Sequence, residues 1–412
     1  GTVVRLNVIP VDAIGESSAT VVSITRDTVK LEDQSAKKEV IELSYNGEMY
    51  KIGIIDLPTF YFDFEAASRG DADFKSSTRD VHALLDELKE EDVDAVVVDL
   101  RNNGGGSLSE ANQLVGLFIE TGATVQIRYS GLRNGFTRSF GDSDPEVAYT
   151  GPLAVLVNRT SASASEIFAG AIQDYQRGIV LGGQTFGKGT VQEIIPMDYG
   201  QVKLTRSKFY RISGESTQHR GVIPDISFPD FYDAYEDIGE SSLDGALPWD
   251  TVRAVEYTPY HAIQALVPEL QQRYDARAQK SPDFIYLRDQ IERARVMRQR
   301  EQLSLNELEV KQEREENRRT EFDAENMRRL LKGLTLNEWV EDPNAEEQEQ
   351  ELVAISDTAP ADESVEDAVE EEEKEEEGDP LLQESGRILA DFISLNSNRV
   401  SSVSPGNTPQ NR

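Results

Sequence analysis

No cysteine occurs anywhere in the 412 residues. That excludes disulfides and thiolate metal sites, and it fits either the cytoplasm or an envelope compartment. Histidine is almost as scarce: His82, His219 and His261 are the whole set. None lies in a recognisable triad setting, and three scattered imidazoles give no metal-ligand cluster, so neither metal nor cofactor is expected. Positive charge is short as well. With 42 Lys and Arg against 76 Asp and Glu, the formal net charge is −34, and nucleic acid or an anionic membrane would repel such a chain. No apolar run approaches membrane-spanning length and no signal peptide is visible. The chain opens at Gly1, without methionine, in what reads as mid-domain sequence. A fragment is therefore expected, and the missing signal says little about location.

Much of the negative charge is local: residues 341–380 hold 19 acidic residues against the single Lys374. That stretch is low in complexity and reads as a disordered, solvated segment. The rest of the chain is long enough for two or three domains with at least one sizeable core.

Residues 1 to about 50 alternate in the manner of strands, as in Val3-Val4-Arg5-Leu6-Asn7-Val8 and Ala19-Thr20-Val21-Val22-Ser23-Ile24. From about 50 to 230, buried-type strands alternate with amphipathic helices. Strands are predicted at 52–56, 95–100 and 153–157, and helices at 78–88, 109–119 and 167–175. Continuous apolar strands separated by helices imply a mostly parallel sheet covered on both faces. Catalytic groups then belong on loops at the carboxyl ends of those strands. Two such loops stand out, Arg101-Asn102-Asn103-Gly104-Gly105-Gly106 and Thr160-Ser161-Ala162-Ser163-Ala164-Ser165-Glu166. From about 257 to 335 the sequence turns helical and highly charged, the pattern of an appended helical domain. Helical periodicity returns at 381–395, predicting a terminal helix that docks back onto the body.

Ser163 and Glu166 satisfy the capping-box pattern at the start of the 167–175 helix, so the serine can be read as a helix cap. The same geometry suits a nucleophile, because a helix N-terminus at a sheet edge favours developing negative charge, and the Ala164 amide could face an oxyanion. On this pattern alone Ser161 and Ser165 remain equal candidates. The glycine run reads either as a flexible turn or as backbone that presents an N–H to a substrate carbonyl, with Gly106 as its last residue. Lys188, in Thr185-Phe186-Gly187-Lys188-Gly189-Thr190-Val191-Gln192, comes close to a phosphate-binding loop. It lacks the Ser or Thr after lysine that would hold magnesium. As a general base it must be neutral near pH 7, which apolar neighbours such as Phe186 and Val191 favour and a charged partner would undo. Gln192 is neutral and could orient the amine.

These blocks, together with Val98-Asp99-Leu100 ahead of the glycine loop and Gly221-Val222-Ile223-Pro224-Asp225, resemble the C-terminal processing, or tail-specific, serine proteases in order and spacing. The resemblance covers residues 1 to about 230 well. The Ala246-Leu247-Pro248-Trp249-Asp250 region resembles, less tightly, the C-terminal extension of the bacterial tail-specific subgroup.

The resemblance implies an α/β core, of the α+β spiral type seen in ClpP and crotonase, with an appended α-helical C-terminal domain. It implies Ser163 as nucleophile, Lys188 as general base, Gln192 orienting the lysine, and the Gly106 and Ala164 amides as oxyanion hole. Asp174 matches an acidic position associated with activity, and pairing near a helix end explains it equally. Implied partners are proteins or peptides with accessible C-termini and an adaptor protein. The implied location is the bacterial periplasm or cell envelope. The expected organisation is a PDZ remnant at 1–10, the peptidase core at 11–230, the helical extension at 231–340, the acidic linker at 341–380, and a terminal helix and tail at 381–412. Family members carry a PDZ domain that captures the substrate tail by strand addition. Here only residues 1–8 read as part of one, and the usual N-terminal helical region is missing too. The competing expectation is a weakly active or inactive scaffold with a protease fold, and a weaker one is acyl-CoA chemistry on a related spiral.

Overall fold

The computed structural model describes residues 1–8, 20–26, 35–71, 74–129, 135–235, 238–300, 302, 304–339 and 378–402. Contacts divide the chain into two units, residues 1–35 and 36–412. In the first, strand β1 (Val3–Val8) pairs antiparallel with β2 (Thr20–Thr25), Val3 opposite Thr25. The expected boundary at residue 10 lies outside the described residues. The side chains of both strands are exposed, as expected of a bare two-stranded ribbon.

The second unit is built on a six-stranded sheet. Its strands are β3 (Lys37–Tyr45), β4 (Glu48–Asp56), β5 (Ala95–Asp99), β8 (Leu153–Val157), β9 (Ile179–Gly182) and β12 (Ile226–Ser227), in the order β12-β9-β8-β5-β4-β3. Asn46 and Gly47 both adopt positive φ (52° and 85°), the two-residue turn that antiparallel hairpins favour, and β3 accordingly runs antiparallel to β4. All other pairings are parallel.

Every residue of β5 and β8 is buried, and alternation sends their side chains into two separate cores. Val96, Val98, Leu153, Val155 and Val157 join Leu85 and Leu88 of α2 (Ser77–Glu90), Leu114 of α3 (Leu108–Gly116) and Phe168 of α4 (Ala164–Asp174). Ala95, Val97, Ala154 and Leu156 join Leu270 and Tyr274 of α5 (Val267–Ala278) and Ile388, Leu389 and Phe392 of α8 (Pro380–Ser402). A fully buried Val or Leu contributes roughly 1.5–3 kcal/mol, so neither layer is optional.

The terminal helix therefore roofs one face of the six-stranded sheet. Gly386 brings α8 so close to β4 that a Cβ there would stand 3.1 Å from Ile52. Asp379 Oδ1 caps the helix, accepting from the amides of Leu381 and Leu382 (2.7 and 3.2 Å). Buried Asp391 accepts from Arg273 (2.8 Å), Arg277 (2.6 Å) and Tyr45 (3.1 Å). In the chain between α5 and α8, α6 (Pro282–Arg298) and α7 (Glu307–Lys332) pack on each other. The acidic stretch at 341–377 lies outside the described residues.

A second sheet was not legible in the sequence pattern. Strands β6 (Gly122–Tyr129), β7 (Phe136–Asp142), β10 (Thr190–Pro196) and β11 (Gln201–Tyr210) form an antiparallel layer in the order β10-β11-β6-β7. Among the described residues no helix is long and apolar enough to cross a membrane.

Candidate active site

Three loops leave the carboxyl ends of the adjacent parallel strands β5, β8 and β9, and hydrogen bonds lock them to one another. The β5 loop turns on Asn103, which is fully buried. Its Nδ2 donates to the Leu57 carbonyl (2.7 Å), its Oδ1 accepts from the Gly105 amide (2.9 Å), and its carbonyl accepts from Ala162 N–H (3.0 Å) and Ser165 Oγ–H (2.8 Å). Gly105 (φ 104°) lies flat against the serine loop: a Cβ there would meet Ser163 Cβ at 2.8 Å and the Ala164 amide nitrogen at 3.0 Å. Gly106 (φ 146°) is pressed onto the Phe60 carbonyl. Only glycine meets both demands.

The three serines separate cleanly. Ser161 is fully buried and donates to the Leu100 carbonyl (2.8 Å), while fully buried Ser165 is held by Asn103. Ser163 is half-buried and has φ 58°, ψ −109°. A non-glycine residue in that region carries about 1–3 kcal/mol of strain and must be held there by its surroundings. A serine on a strained strand-to-helix turn is the arrangement that exposes a nucleophilic oxygen. Among the described residues, the amides of Gly106 and Ala164 have no acceptor. Two unused N–H groups thus flank the strained serine.

Glu166 does more than close the capping box. It is wholly buried, and its carboxylate collects four donors: Oε2 accepts from the amides of Ser163 (2.8 Å) and Lys188 (3.0 Å), and Oε1 from the Gly187 amide (2.7 Å) and Thr185 Oγ (2.7 Å). One carboxylate therefore ties the serine turn to the lysine turn. Burial pushes its pKa up and the four donors pull it down, leaving it at about 7.

The Gly-Lys-Gly turn owes its glycines to a second neighbour. Cβ atoms at Gly187 and Gly189 would meet the backbone of His219 (2.8 Å) and Gln218 (2.7 Å). Gln218 Oε1 accepts from the Gly189 amide (2.9 Å) and His219 N–H donates to the Gly187 carbonyl (2.9 Å). Lys188 is half-buried, and among the described residues no carboxylate is in ion-pair reach of its ammonium. The turn feeds β10 rather than a helix, so the phosphate-loop reading fails on structure as it did on sequence. Gln192 follows on β10 with its side chain exposed.

Asp174 stands apart from this group. It ends α4, eleven residues from Ser163 and so about 16 Å away along the helix axis. There it makes a buried ion pair with Arg211 (2.5 Å) beside a polar pocket of about 450 Å³ that also touches Arg220 and Trp249. The structure thus gathers Ser163, Ala164, Gly106 and Lys188 at one sheet edge, places Gln192 four residues down β10, and leaves Asp174 elsewhere. Pattern reading took Glu166 only as half of a cap and passed over Asn103. The Glu three residues after the serine was the available signal for the first.

Residues 51–228 match the model of peptidase family S41, and residues 234–394 match the C-terminal domain of tail-specific proteases. The chain thus carries a segment similar to the S41 peptidases followed by one similar to the C-terminal domain of tail-specific proteases. It is 37% identical to the tail-specific protease of Haemophilus influenzae over 411 residues, 97% of this chain and 52% of that protein. It is also 37% identical over 182 residues to a carboxy-terminal-processing protease of Bartonella bacilliformis, covering 42% of this chain and 40% of that one. A solved photosystem II D1 C-terminal processing protease aligns over 52% of each chain at 27% identity, with a TM-score of 0.40. The chain spans about half the length of the curated relatives it matches.

Proposed function

We propose that this chain is a serine endopeptidase working through an acyl-enzyme. Neutral Lys188 takes the proton of Ser163, whose Oγ attacks a peptide carbonyl. The Gly106 and Ala164 amides receive the tetrahedral oxyanion, the lysinium protonates the leaving amine, and water resolves the ester. Gln192 orients the amine, and Asp174 acts at a distance by fixing the end of α4 through Arg211. The observation that carries this reading is the strained Ser163 turn with two unused amides beside it, tied to the lysine turn by one buried carboxylate.

The finer reading is that substrates are proteins chosen through accessible C-terminal tails, delivered with an adaptor protein in the periplasm or cell envelope. Residues 1–8 belong, on this reading, to a tail-capturing PDZ domain. The names of its relatives, tail-specific and carboxy-terminal-processing proteases, support it. Cleavage of an unfolded protein is the test: Ser163→Ala and Lys188→Ala each abolish it while leaving thermal unfolding unchanged. Retained cleavage in Lys188→Ala overturns the dyad, and no cleavage by the unaltered chain favours the scaffold alternative.

A further inference from the structure

We propose that the free edge of β10 is where an extended segment of a substrate polypeptide adds as a further strand. The inference deepens the proteolytic reading of Ser163 and Lys188 and rests on it. β10 is the terminal strand of its sheet and begins two residues after Lys188. Its outward face can be worked out from the ladder. Phe209 N–H donates to the Gly189 carbonyl (2.9 Å), and Val191 sits opposite Ser207. Backbone groups alternate along a strand, so residues 189, 191, 193 and 195 face β11 while the N–H groups of Thr190, Gln192 and Ile194 point away from it.

Two observations agree with that parity. The register shifts between Val191 and Gln192, and the extra residue, Arg206, is on β11, so the alternation along β10 is uninterrupted. Pro196, which has no N–H to offer, falls on the outward set, where edge strands tolerate proline. Among the described residues no side chain or loop supplies an acceptor for the three outward amides.

Edge strands are ordinarily shielded by charge or by short length. Here Ile194 is 61% exposed on the edge, with Val202 and Leu204 exposed on the neighbouring strand. From Lys188 to Ile194 is six residues, about 20 Å of extended chain, enough for a substrate strand to run from this edge to the dyad. Main-chain pairing binds without demanding a particular sequence, while the alternate side chains of the added strand meet Ile194. The occupant is therefore an unfolded, extended polypeptide with an apolar residue beside Ile194.

Ile194→Pro removes one outward N–H without touching the β10–β11 ladder, and Ile194→Ala removes the side chain while keeping the N–H. The probe is fluorescein-labelled, reduced and carboxymethylated α-lactalbumin. Its affinity is measured in the Ser163→Ala background, and kcat/KM for its cleavage with Ser163 present. Ile194→Pro is expected to weaken both roughly threefold to tenfold, and Ile194→Ala to weaken them less. Labelling of Ser163 by a small fluorophosphonate, which does not reach the edge, stays at the wild-type rate. Unchanged affinity in Ile194→Pro, or an equal loss in Ile194→Ala, overturns the proposal. So does a loss confined to self-association, which would make the edge a contact between copies. If the unaltered chain binds the probe through this edge and never cleaves it, the proteolytic reading fails and the edge stands.

Discussion

Replacing Glu166 by glutamine tests the physics of the site in a single atom exchange. In the folded chain the carboxyl has a pKa of about 7, with burial as the largest cause. In the unfolded chain it has its ordinary value near 4.3. A group whose pKa is raised on folding stabilises the fold fully below the unfolded value and loses that contribution as pH rises through the folded one. The span is about 2.7 units, on the order of 3–4 kcal/mol, and it is lost between about pH 4 and pH 7. Glutamine cannot titrate, so its stability profile is flatter across that window. It also turns an NH₂ toward donors. With its oxygen kept at the Ser163 and Lys188 amides, the Gly187 N–H is orphaned, at a cost of about 1–3 kcal/mol. Urea unfolding at pH 4 and pH 8 supplies the four free energies needed. Parallel profiles for the two proteins would refute the reasoning and mean that the four donors hold the carboxylate ionised throughout.

Two further outcomes follow from the packing. Gly106→Ala drives a Cβ into the Phe60 carbonyl at a φ of 146°, and should cut kcat/KM at least 100-fold by displacing one oxyanion donor; near-normal turnover would remove Gly106 from the hole. Asp391→Ala takes from Arg273 and Arg277 the 1%-exposed carboxylate that receives both but leaves them Glu269 and Glu384, so urea unfolding should register a loss of about 1–3 kcal/mol. A loss below 1 kcal/mol would mean α8 is held by its apolar face alone.

How much of this was readable beforehand depended on whether a residue's partners were near in sequence. β5 and β8 were legible because every position in them is buried, which leaves an unbroken apolar run. β10 and β11 were not, because their exposed faces carry Gln192, Glu193 and Lys203 among Ile194 and Leu204, blurring the alternation. The apolar stripe of α8 predicted a helix but not that Ile388 and Leu389 close the second face of the sheet, more than 280 residues from Val97. Ser163 needed backbone geometry to be told from Ser161 and Ser165. Glu166 was visible as a local cap, but three of its four donors come from residues 185–188, and no local pattern records them. Asp174 matched a motif position, yet its partner Arg211 lies just past the end of β11, at the far end of α4 from the serine.

The central claim is that Lys188 activates Ser163, and covalent labelling measures it most directly. A fluorophosphonate reacted with the chain near pH 8, followed by peptide mass mapping, should place a single adduct on Ser163. Lys188→Met should slow that reaction about 10²- to 10⁴-fold at unchanged thermal stability. An adduct on Ser161 or Ser165, or an undiminished rate in Lys188→Met, would contradict the account.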